Sequence, residues 1–260
     1  MFRSSAHLIK THLVAMSLVL ILASSAANVA HADGATATVP VGPSPFALAF
    51  DPMNGNVYVA NGGSHTVSVI SGSSKTVVAT VTVGSSPQGV VFDPVNGDVY
   101  VANFNSRTVS VISGSSNAVV ANVTVGSHPS AMAVDTANGD IYVANFWAGT
   151  VSVISGSINQ VVATVTVGPG PVAVAFDPVN GEIYVANVDS GTVSVISGST
   201  NTVLATVAVG SVEGTTSAIA FDSVNGEIYV ANSGLGIGPG IVDAISGSTN
   251  TIAEIGRAHV

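Results

Sequence analysis

Apolar runs and polar breaks return along this chain with a period of about 42 residues. Val-Gly pairs recur at Val41, Val83, Val125, Val167 and Val209, and Tyr-Val-Ala-Asn begins at Tyr58, Tyr100, Tyr142, Tyr184 and Tyr229. A fixed period of this length marks stacked supersecondary units. The unit 167–208 carries no insertion and displays the pattern most plainly. Pro171 opens an apolar run over 172–176, too short for a typical helix and closed by the turn Asp-Pro-Val-Asn-Gly. Further β-branched and aromatic runs follow at 182–186, 192–196 and 203–207, separated by Asn-rich and Ser-Gly-Ser breaks. Each connection is only a few residues long, so neighbouring strands are antiparallel.

Four short antiparallel strands per unit, repeated in tandem, predict an all-β propeller of four-stranded blades. The first two strands of each unit are nearly continuously apolar, as expected when neighbouring blades cover both faces of a sheet. The fourth alternates, as in Thr80-Val81-Thr82-Val83, and is expected at the outer, half-solvated edge. In the second unit that strand contains Asn122, which with Thr124 forms an Asn-x-Thr acceptor for N-glycosylation. The predicted organisation is a leader over 1–32, repeats over 33–254 with units 41–82, 83–124, 125–166, 167–208 and 209–254, and a tail over 255–260.

Composition narrows the function. Hydrophobic residues make up 47% of the chain and charged residues 7%, which excludes disorder, and no apolar run is long enough to cross a bilayer. Arg3 and Lys10 precede an apolar run at 13–23, and small residues follow as far as Ala32. Those parts make a secretory signal cleaved after Ala32, with a buried helix as the alternative reading. Past that point only Lys75, Arg107 and Arg257 face 14 acidic residues. Three scattered cations cannot replace the counterions of a phosphate backbone, so nucleic acid is excluded, and an anionic membrane surface is disfavoured. The chain has no cysteine, hence no disulfide or thiolate metal site.

The motifs Val-Gly-x-x-Pro, Phe-Asp-Pro-x-Asn-Gly, Tyr-Val-Ala-Asn and Thr-Val-Ser-Val-Ile-Ser-Gly-Ser resemble those of the YVTN β-propeller repeat family, which includes archaeal surface-layer proteins. The resemblance runs from residue 41 to about 254. The chain departs from the family pattern by Ala60, Ala102, Ala144, Ala186 and Ala231 where Thr is usual. It departs again by Ser71, Ser113, Ser155, Ser197 and Ser246 where Asp is common. The resemblance implies an extracellular or cell-surface propeller of seven blades. Five units then read as an incomplete seven-bladed propeller, with five-blade closure as the fallback. Residues 35–42 match the end of a repeat and are expected to form an orphan fourth strand, although 251–254 already begin such a strand in the fifth unit. The tail 255–260 breaks the pattern and matches the peptide that a common sequencing-library adapter encodes before a stop codon, so it is expected to be non-native.

Candidate chemistry gathers at one end of the blades. The Asp-Pro-x-Asn-Gly and Ser-Gly-Ser turns barely vary, and their aspartates (Asp51 and its equivalents) are expected to cap turns, since one carboxylate per turn falls short of a calcium shell. The loops after Tyr-Val-Ala-Asn and the crossovers between blades do vary. They carry His65, Phe104, Arg107, Phe146, Trp147 and Asp189, with His128 and Glu213 in the crossovers and an insertion near Leu235. Phe104, Arg107, Phe146 and Trp147 are the candidate partner-binding residues, a platform for a sugar ring or a protein, with seam-sealing as the competing reading. His65 and His128 are expected to be exposed loop residues. No catalytic residue, cofactor or metal is assigned. The expected function is a binding or surface-structural module with a protein or glycan partner. The alternative is a propeller enzyme such as a lactonase-like hydrolase or a quinone-dependent dehydrogenase.

Overall fold

A computed structural model describes residues 37–210, 216–233 and 240–253. The predicted leader, Glu213, the insertion near Leu235 and the tail lie outside the described residues. Twenty strands follow in chain order, four to a sheet. Blade 1 contains β1 (Pro45–Asp51), β2 (Asn56–Asn61), β3 (Thr66–Ser71) and β4 (Thr76–Thr82). Blade 2 contains β5 (Pro87–Phe92), β6 (Asp98–Asn103), β7 (Thr108–Ser113) and β8 (Ala118–Thr124). Blade 3 contains β9 (Pro129–Asp135), β10 (Asp140–Asn145), β11 (Thr150–Ser155) and β12 (Gln160–Thr166). Blade 4 contains β13 (Pro171–Asp177), β14 (Glu182–Asn187), β15 (Thr192–Ser197) and β16 (Val203–Ala208). Blade 5 contains β17 (Thr216–Asp222), β18 (Glu227–Asn232), β19 (Ile241–Ser246) and β20 (Thr251–Ile252).

All pairings are antiparallel and join consecutive strands. The first strands β1, β5, β9, β13 and β17 pack on one another in sequence around an axis, so the chain is an all-β propeller of four-stranded blades. The turn aspartates cap as the sequence predicts. The Oδ1 of Asp51, Asp93, Asp135, Asp177 and Asp222 each accepts the amide two residues ahead, at 2.8–2.9 Å.

Burial follows strand position. The two middle strands of the inner blades are almost wholly buried, while β4 and β8 alternate along their length as outer strands should and β12 is exposed over its first three residues. A bulge at Val78, Val120, Val162 and Leu204 interrupts the outer pairing and turns each of these side chains to solvent. The innermost strands depart from the expected full burial. Their residues are partly accessible because they line an axial cavity instead of packing against a sheet on every side. Residues 37–41 belong to no sheet, contrary to the expected orphan strand. The place beside β19 is taken by β20, through Ile245↔Ile252 and Ser246↔Thr251.

Each seam between blades is stitched by side chains that recur with the repeat. The tyrosine of one blade is buried and donates its hydroxyl to an asparagine Oδ1 in the next blade. The pairs are Tyr58–Asn117 at 2.9 Å, Tyr100–Asn159 at 2.9 Å, Tyr142–Asn201 at 2.8 Å and Tyr184–Asn250 at 2.7 Å. Turn asparagines reinforce three seams: Asn54, Asn96 and Asn180 donate to the carbonyls of Gly114, Gly156 and Gly247. Burial pushes the Tyr100 hydroxyl up to about 12 and raises Tyr142 and Tyr184 further, so these phenols stay protonated donors. The asparagines that receive them sit at positive φ (55° at Asn117, 53° at Asn159), which Asn tolerates better than other side chains with a Cβ.

Each inner seam closes around one apolar cluster. Tyr58, Ala60, Val67 and Val69 of blade 1 meet Val90, Val99, Val101 and Ile112 of blade 2, and equivalent residues meet at the next seams. Among the described residues the two end faces lack such a cover. Leu48 is 47% exposed where its equivalent Val90 is 7%, and Tyr229 is 36% exposed where Tyr184 is 0%.

Seam stitching predicts a contrast between two conservative substitutions. Tyr142→Phe removes the donor to Asn201 inside a seam and should lower unfolding stability by about 1–2 kcal/mol. Tyr229→Phe, on an uncovered face, should change stability by less than about 0.5 kcal/mol. Urea denaturation followed by circular dichroism checks both values; equal effects would remove the seam from the account.

Candidate functional site

Backbone hydrogen bonds hold the variable loops against the crossovers. In blade 2 the amides of Phe104 and Asn105 donate to the carbonyls of Ser86 and Ser85, and in blade 3 those of Phe146 and Trp147 donate to His128 and Ser127. Each loop is therefore pinned at two points to the segment that enters its own blade. The crossover into blade 3 in turn contacts the loop of blade 2. Ring positions at this end of the molecule are set by backbone geometry, not by free loop motion.

Three rings form a continuous stack across the seam between blades 2 and 3. His128 lies edge-on to Phe104, with centroids 4.7 Å apart and planes at 78°. Trp147 stacks on the ring of His128, at 4.1 Å and 26°. Offset and edge-to-face contacts at these separations are attractive beyond their burial. Trp147 remains 65% exposed, so one side of the indole is backed by His128 while much of its surface meets solvent.

The stack stands at the rim of an axial cavity of about 580 Å³. Its walls come from the first strands of all five blades, including Leu48, Val90, Met132, Val174 and Ile219. Phe46, Phe104, Phe146 and Trp147 line it as well. Room for Phe46 follows from a small residue: a Cβ at Gly62 would come within 2.7 Å of the Phe46 ring. Gly62 is the equivalent of Phe104 and Phe146, so blade 1 supplies its aromatic ring from β1 where blades 2 and 3 supply theirs from the loop. Gly89 lets blades 2 and 3 approach at the axis, since a Cβ there would stand 2.5 Å from the Ser130 carbonyl oxygen.

The candidate residues separate under this geometry. Phe104 and Trp147 meet through His128, and Phe146 lines the cavity beside them. Arg107 is exposed on the same loop but is not among the lining residues, and it acts on the stack through its charge. His65 is exposed as expected, and its Nδ1 accepts the Ser86 amide at 3.0 Å. His128 is not the exposed histidine that the sequence suggested. It is half-buried as the central ring of the stack, because its crossover passes between two loops distant in sequence. Its place next to Pro129, in the same crossover end as the variable loops, was the available signal. Asn122 is exposed on β8, and its Oδ1 accepts the Ser110 hydroxyl at 2.7 Å.

Buried asparagines lie beneath the crossovers. Asn61, Asn103, Asn145 and Asn187 each donate to a Thr and a Ser hydroxyl of the third strand. Their Oδ1 atoms have no partner among the described residues. In blade 5 Thr216 replaces the proline of the other blades and donates to Asn232 Oδ1 at 2.8 Å. Asp243 replaces the buried serine and accepts from both Asn232 Nδ2 and the Gly210 amide. Among the described residues no three His, Asp or Glu side chains gather as a metal site, and no helix is long and apolar enough to cross a membrane.

No protein-family profile matches the chain, and no curated protein matches it. A solved structure of Kuenenia stuttgartiensis hydrazine synthase is similar in fold, with a TM-score of 0.68 at 19% identity. The match covers 83% of this chain and 66% of that one, so this chain spans just under two thirds of the similar protein. At that identity the likeness concerns fold alone.

Burial first, and the nearby Arg107 guanidinium second, hold the His128 pKa below the ordinary histidine value. The imidazolium therefore forms only at a pH below about 6.5. Trp147 is the sole tryptophan in the chain, so tryptophan emission reports on this site. Emission should be quenched on acidification with a midpoint below about 6.5. The transition should disappear in His128→Ala and move upward in Arg107→Ala. A wild-type midpoint above the ordinary value would mean that attraction to the indole face, not burial and Arg107, sets the imidazole charge.

Proposed function

We propose that this propeller is a secreted or cell-surface binding module whose partner is a glycan seated on the exposed ring of Trp147. The observation that carries the reading is the Phe104–His128–Trp147 stack, an indole held rigid from behind and open in front. An aromatic face of this kind suits the apolar C–H face of a pyranose ring, and pinned loops bring it to the partner with little ordering cost. The variable loops sit on a constant scaffold, the usual arrangement of recognition surfaces. Export, membership of the YVTN repeat family and glycosylation of Asn122 belong to the same proposal. They rest on the leader-like residues 1–32, on the five-fold motif and on the exposure of Asn122.

The apolar walls of the axial cavity favour a second reading, in which a partner protein inserts an apolar side chain below the platform. The enzyme alternative, a lactonase-like hydrolase or a quinone-dependent dehydrogenase, has no comparable arrangement of groups in its favour among the described residues.

Titration with soluble oligosaccharides and with isolated cell-wall polysaccharide, read by Trp147 emission and calorimetry, tests the first reading. Trp147→Ala should weaken binding at least about tenfold, or 1.4 kcal/mol, with unchanged far-ultraviolet dichroism. Retention of every tested glycan at wild-type affinity by that variant would reject the platform.

A further inference from the structure

A cation stands next to the ring stack. Of the Lys and Arg side chains only Lys75 and Arg107 fall among the described residues, and only Arg107 lies in a variable loop. Its backbone is fixed at a φ of 55°, and its carbonyl accepts the Val125 amide at 3.0 Å, three residues before His128. His65 holds the same place in blade 1, with the same backbone bond to Val83. The His65 Nδ1 accepts the amide of Ser86, the counterpart of His128, so a side chain from this place reaches the crossover of the next blade.

In blade 2 that contact is not made. Arginine has donors and no acceptor, and its charge opposes that of an imidazolium at His128. Among the described residues the guanidinium forms no hydrogen bond or ion pair, and it remains exposed. Gly149 and Gly191 take its place in blades 3 and 4, so no second cation follows. Asp189 takes the place of Trp147 in blade 4, and its carboxylate lies against the crossover, since a Cβ at Gly170 would stand 2.6 Å from Oδ2. Blade 3 packs between blades 2 and 4, so the loop that carries Trp147 has a cation in the loop on one side and an anion in the loop on the other.

Resting on the reading of Trp147 as a glycan platform, we propose that the sugar it takes is a hexuronic acid, with the ring stacked on the indole and the carboxylate held by Arg107. A carboxylate meets the planar guanidinium two oxygens to two N–H groups, a match that an ammonium would not give. One cation without a helix N-terminus suits a singly charged group better than a phosphate. Asp189 repels a second anion at the blade 4 side, so the ligand lies with its neutral end there.

Calorimetric titration of the whole chain tests this, with oligogalacturonate and oligoglucuronate, the neutral methyl ester of each, and a phosphorylated oligogalactoside as probes. At least one acid should bind about fivefold or more tighter than its ester, and added salt should narrow the gap. Arg107→Gln should bring that acid to the affinity of its ester while the ester's own affinity and the Trp147 emission stay as in the wild type. Asp189→Asn should not weaken the acid. Equal binding of acid and ester, tighter binding of the phosphorylated probe, or a preference that survives Arg107→Gln would overturn the acidic ligand and leave the platform standing. Failure of both acids while neutral glycans bind through Trp147 would do the same, and failure of every glycan would remove the platform as well.

Discussion

The structure depends on one blade covering the next. A four-stranded sheet with apolar side chains on both faces is stabilised by covering those faces, and at the inner seams the neighbouring repeats supply the cover. Tyrosine makes that covering specific. Its ring is buried in the apolar seam, and its hydroxyl reaches an asparagine 59 residues ahead at the first three seams. Sliding one blade over another would leave that hydroxyl without a partner in a place poor in water, so the seam has a single register.

From this follows the division between the two ends of the molecule. The Asp-Pro-x-Asn-Gly and Ser-Gly-Ser turns meet across the seams. A Cβ at Gly114 would lie 2.9 Å from Asp51 Oδ2, and one at Gly156 would lie 2.8 Å from Asp93 Oδ2. A side chain at either glycine has no room there. At the opposite end each loop is held to the crossover of its own blade through backbone groups, so Gly62, Phe104, Phe146 and Val188 can occupy equivalent positions without disturbing the sheets. Side-chain variation is confined to the end where the fold makes few demands on it.

The aromatic stack shows how the constraint positions a site. Phe104, His128 and Trp147 come from two loops and one crossover, and none would hold its ring alone. The blade stacking fixes the distance between the loops, and the crossover hydrogen bonds fix their height. An imidazole with a depressed pKa and an indole with an open face result from that placement, not from any local motif.

Four strands per unit, with their order and direction, were readable from the 42-residue period, because short loops leave antiparallel neighbours as the only connection. Turn capping by Asp51 and its equivalents was readable too, since an Asx turn involves residues two apart. The outer position of β4, β8 and β12 followed from alternation alone. The half-open first strands, the absence of a strand over 37–41 and the burial of His128 were not readable, because each depends on which distant residues arrive beside it. Local order is written in neighbours along the chain, whereas the axial cavity, the tyrosine seams and the ring stack exist only once blades some 42–60 residues apart have been brought face to face.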